Sequence, residues 1–187
     1  MWYTVCSLPP CGDFNERRIA AMNPNLKFTR RTWYFLLLIS AACSLLNALA
    51  VLAGHNLTFL EQLAFGGTGL AVLFLAAEKS NPPAGRKAYF GVFVLLLLSY
   101  MFGGAVGLVF SALVWPMLLL IERRRGLPVD HSLRLVLFAE AMHTALVIMT
   151  LAGLPTALFA NLFWVLTAAA RGSAALVLYR VRPEMEE

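Results

Sequence analysis

The sequence predicts an all-α fold, a polytopic membrane bundle of about six transmembrane helices paired into three antiparallel hairpins. Three observations predict it. Apolar residues make up 60% of the 187-residue chain and charged residues 13%, against roughly 45–50% and about 25% in soluble domains. The mean hydropathy is +0.73. The basic residues fall in short clusters between long apolar runs. A soluble fold of this size has too much surface for its volume to hide so much apolar area.

The elements follow from the length of helix that crosses hydrocarbon, about 20 mostly apolar residues. Residues 1–32 read as a cytoplasmic tail. The first span covers 33–54, entered from Lys27, Arg30 and Arg31. The second covers 57–77 and stops at Glu78-Lys79, before a polar turn from Ser80 to Lys87. The third covers 88–102 and the fourth 104–121, which stops at Glu122-Arg123-Arg124-Arg125. Only glycines part these two slightly short spans, so one long helix plus a re-entrant piece competes with the hairpin. A loop from Gly126 to Ser132 leads to the fifth span, 135–153, and the sixth, 156–179. Residues 180–187 form a second cytoplasmic tail.

Charge then sets orientation, because cytoplasmic loops carry the excess of Lys and Arg. With the N-terminus inside, every inner segment is basic, including Arg86, Lys87, Arg134, Arg180 and Arg182. The outer turns at 54–56, 102–104 and 153–155 hold no Lys or Arg, and the one remaining basic residue, Arg171, lies within a span. Such a charge pattern also removes the nucleic-acid reading, which needs a basic face on a soluble surface. A start at Met22 would make the first span resemble a signal peptide ending at Ala48-Leu49-Ala50. An uncleaved span is expected instead, since it completes the first hairpin. Asn56-Leu57-Thr58 fits the glycosylation sequon, but sits against the membrane and reads as chance. Cys6, Cys11 and Cys43 lack metal-ligand spacing.

Ionisable groups in hydrocarbon are costly and mark candidate sites. Glu140 and His143, three apart, share a face of the fifth span. Glu140 lies roughly 8 Å and His143 roughly 12 Å inward from Leu135, and Arg171 roughly 12 Å from Tyr179. Similar depths on paired helices predict an Arg171–Glu140 ion pair with His143 in reach, as a substrate or proton site or as structural glue. Glu61, near the outer end of the second span, is an outer-rim candidate. Gly66, Gly67 and Gly69, and the ridge of Gly103, Gly107 and Ser111, read as helix-packing positions. Pro116 is expected to kink the fourth span. Trp33, Tyr34, Tyr89 and Tyr179 suit an interfacial belt.

No Gly-x-Ser-x-Gly, His-Glu-x-x-His or Cys-x-x-Cys motif occurs, so a non-catalytic role without metal or cofactor is expected. The segments between spans are too short for a soluble domain. The leading expectation is a small transport or substrate-binding membrane subunit. The alternative is a non-catalytic assembly or scaffold subunit of a membrane complex. The expected partners are the lipid bilayer and a protein in the membrane or on its cytoplasmic face. The expected location is the cell membrane, by default the bacterial inner membrane.

Overall fold

The computed structural model describes residues 30–78 and 81–180; the tails and Lys79–Ser80 lie outside it. Among the described residues are six helices: α1 (Arg30–Leu52), α2 (Thr58–Ala77), α3 (Pro83–Phe102), α4 (Gly104–Arg124), α5 (Asp130–Leu151) and α6 (Ala157–Arg180). Each is long and apolar enough to cross a membrane. With about 1.5 Å of rise per residue, each reaches roughly 30 Å or more, the thickness of the hydrocarbon core.

The helices extend beyond several of the apolar segments. α3 begins at Pro83, five residues before the apolar run, because proline suits the first helical turn, where its missing N–H is no loss. Ala84 to Lys87 are therefore helical rather than part of a polar turn. α5 likewise begins at Asp130, whose carboxylate suits a helix start. α4 continues to Arg124. Between α3 and α4 the chain breaks at Gly103, which has φ +57°, as does Gly104 at φ +52°. Left-handed backbone at two successive residues is cheap only for glycine, and here it makes two helices out of one apolar run.

Each helix packs extensively on two others, and the contacts close on themselves: α1 on α2, α2 on α3, α3 on α4, α4 on α5, α5 on α6, and α6 back on α1. The bundle is a ring. One end is solid. Leu37 of α1, Leu75 of α2, Val92 of α3, Leu118 of α4, Val136 of α5 and Ala174 of α6 meet there in one apolar core. This packed end carries the basic residues, Arg30, Arg31, Arg86, Arg123, Arg124, Arg134 and Arg180 among them. The connections at the opposite end, 53–57, 103 and 152–156, contain no Lys or Arg.

The outer surface is apolar all the way round. Phe35, Leu46, Leu70, Phe90, Leu97, Val109, Phe138 and Leu162 are exposed, from all six helices. Soluble monomers rarely expose a continuous apolar patch above a few hundred Å². Buried polar residues, by contrast, include Ser40, Asn47, Thr68, Glu122, Glu140 and Thr167.

Candidate functional site

The half of the ring away from the packed end encloses a cavity of about 410 Å³, lined by residues of all six helices. Such a volume lies in the range of small-molecule sites, about 300–1,000 Å³. Helical rise sorts the lining into layers. Asn47, Glu61 and Asn161 stand within about 8 Å of the helix ends farthest from the packed core. Ser44, Phe65, Ser111, His143 and Trp164 form a middle layer about 10–12 Å in. Ser40, Thr68, Trp115, Glu140 and Arg171 form the floor, about 15–21 Å in. Below them begins the apolar core.

Glu140, His143, Arg171, Glu61 and Ser111 thus share one cavity. Arg171 Nε donates to Glu140 Oε1 at 2.6 Å, joining α6 to α5. The Glu140 side chain is 4% exposed and that of Arg171 17%. The contact is single rather than forked. Among the described residues the guanidinium NH2 groups and Glu140 Oε2 make no hydrogen bond, yet none of these atoms is fully buried. His143 stacks on Trp164 across α5 and α6, centroids 6.4 Å apart and planes 8° from parallel. At the mouth, Asn47 Oδ1 accepts from the Leu57 backbone N–H at 3.1 Å, which fixes the α1–α2 turn. Its Nδ2 is buried without a partner among the described residues.

The small residues divide. Gly67 lies so close to Ser40 of α1 that a Cβ would overlap Ser40 Oγ. A Cβ on Gly69 would stand 3.2 Å from Leu96, and one on Gly107 2.6 Å from the Ser99 carbonyl oxygen. These three let α2 approach α1 and α3, and α4 approach α3. Gly66 and Gly103 do not: a Cβ on either meets nothing within 4 Å, and Gly103 serves the helix break.

A second polar cluster closes the packed end. Asn81, after α2, accepts at Oδ1 from Arg30 (2.7 Å) and Arg125 (2.8 Å), and donates through Nδ2 to the Leu75 carbonyl (2.6 Å). Arg30 also pairs with Glu78 at 3.3 Å. The Tyr89 hydroxyl donates to Glu122 Oε1 at 2.5 Å and accepts from Arg125 at 3.3 Å. Glu122 is wholly buried. Sequence reading missed this cluster. It placed Glu122 at the stop of the fourth span and Tyr34 and Tyr89 in an interfacial belt, but Glu122 and both tyrosines are buried. The arginine cluster beside Glu122 masked it, since charges at a helix end ordinarily sit in water. The one available signal was spacing: Leu118, Leu119 and Glu122 share a face.

No protein-family model matches the chain, and neither a curated protein nor a solved structure matches it. Among the described residues no cluster of three or more His, Cys, Asp or Glu is placed to hold a metal ion.

Proposed function

We propose that the chain crosses the membrane six times, as three antiparallel hairpins with its packed, basic end on the cytoplasmic side, and serves as a small transport or substrate-binding membrane subunit. The apolar outer surface and the one-sided placement of Lys and Arg support the membrane reading. One observation carries the binding reading. The intramembrane polar groups Glu140, Arg171 and His143 line a shared cavity with Glu61, Asn47 and Asn161, where structural glue would be sealed between helices. The packed core and the Asn81–Glu122 cluster close the opposite end, so the cavity is reached from the outer side.

The test is purification in mild detergent followed by native mass spectrometry. A retained small molecule is expected, stoichiometric in wild type and lost on Arg171→Ala. Release of the same mass from wild type and from the variant would sink the assignment. The burial of the Arg171–Glu140 pair favours a second reading, a scaffold subunit whose charges fix helix packing. In that case a partner protein co-purifies and no small molecule does.

A further inference from the structure

The binding reading leaves the ligand's chemistry open, and the floor of the cavity narrows it. Arg171 and Glu140 neutralise each other there. No third ionisable side chain belongs to the floor layer; Glu61 is exposed at the mouth and His143 lies one layer up. A ligand group with a net charge would leave the floor charged, deep among apolar helices, where an uncompensated charge is strongly disfavoured. The pair is nonetheless not saturated. It leaves guanidinium N–H donors and a carboxylate oxygen acceptor of one ion pair without hydrogen bonds among the described residues. Their complement is a group with an acceptor and a donor adjacent. Trp115, Trp164 and Phe65 supply flat apolar walls above and beside the pair.

We infer that the cavity takes a small flat molecule with an uncharged acceptor–donor head, a carboxamide, ureide or amino-heterocycle edge, seated on the Arg171–Glu140 pair. The inference rests on the cavity being a binding site, and the test separates the two claims.

Benzamide, benzoate and benzamidinium share a ring and a planar head and differ in charge: neutral, negative and positive. Each is titrated into the full chain in lipid nanodiscs, with binding read by saturation-transfer NMR. Fragments of this size bind in the millimolar range, so titration runs to about 10 mM. Benzamide is expected to bind at least about tenfold tighter than either ion, a difference of about 1.4 kcal/mol. Arg171→Lys keeps the charge but loses the planar donors, and is expected to abolish the preference for benzamide. Ser111→Phe fills the middle layer and is expected to abolish binding of all three. Tighter binding of benzoate or benzamidinium, lost in Ser111→Phe, overturns the uncharged head and leaves the cavity as the site. Benzamide preference that survives Arg171→Lys also overturns the head assignment. Binding that survives Ser111→Phe, or no binding of any probe to wild type, overturns the cavity itself.

Discussion

The consequences of single side chains are clearest where two residues of one type meet different surroundings. Gly66 and Gly107 both lie inside helices. A methyl group at Gly107 meets the Ser99 backbone carbonyl at 2.6 Å, and backbone cannot swing aside; at Gly66 it meets nothing. Gly107→Ala is therefore expected to lower stability by about 1–3 kcal/mol through overpacking. Gly66→Ala is expected to raise it by up to about 1 kcal/mol, the helix-propensity difference. Reversible unfolding in mixed micelles distinguishes them; equal effects would refute the close approach of α3 and α4. The Arg171–Glu140 pair obeys a different rule. Removing one partner strands a charge, so Arg171→Met is expected to cost about 3 kcal/mol. Adding Glu140→Gln to that variant is expected to restore part of the loss. A double variant as unstable as the sum of the singles would show that the two groups are not coupled. The pair was legible in sequence because both residues interrupt apolar runs, and because helical rise alone places them at one depth.

At the scale of elements, the information lies in how helix ends are tied. α1, the α2–α3 connection, α3 and α4 converge on Asn81, Tyr89 and Glu122. The Tyr89 hydroxyl makes the close hydrogen bond to the buried Glu122 carboxyl group, at 2.5 Å, and Tyr34 stands beside the same group. Tyr89→Phe is expected to cost about 1–3 kcal/mol, because it leaves a buried carboxyl oxygen without its close partner. Tyr34 tests the specificity of that argument. It is also buried, beside Glu122, but its hydroxyl makes no close hydrogen bond among the described residues, so Tyr34→Phe is expected to cost clearly less than Tyr89→Phe. Thermal unfolding followed by tryptophan fluorescence reads both; a loss at Tyr34 as large as at Tyr89 would contradict the hydrogen-bond assignment. This cluster shows where sequence reading stops. Hydrophobic runs locate helices because burial in lipid acts on every residue of a span. Whether Glu122 faces water or the ring interior depends on how the neighbouring helices come together, and no local pattern encodes that. The ring closure of α6 on α1 is equally invisible, because these two helices pack together from opposite ends of the described chain.

The whole molecule inverts the distribution expected of a soluble bundle, with apolar faces outward and Glu140, Arg171, Asn47 and Thr68 inward. That inversion is consistent with the proposed placement in a bilayer. In water, exposed Phe35, Leu46, Phe90, Phe138 and Leu162 would drive association; in lipid they cost nothing, while a polar cavity becomes the only place the charged residues can go. The proposed orientation then has a direct consequence for access. The turns holding His55 and Leu154 face outward, and the ends holding Arg86 and Arg124 face the cytoplasm. Each position is exposed, so a single cysteine placed there on a cysteine-free background reports its side. In intact cells of a bacterial host, a membrane-impermeant maleimide is expected to label His55→Cys and Leu154→Cys. Labelling of Arg86→Cys and Arg124→Cys is expected only after the membrane is opened. Removing single charges from the basic end leaves at least eight other described Lys and Arg residues there, so orientation survives these substitutions. The reverse labelling pattern would turn the bundle over, put the mouth of the cavity on the cytoplasmic side, and make its ligand a molecule of the cell interior.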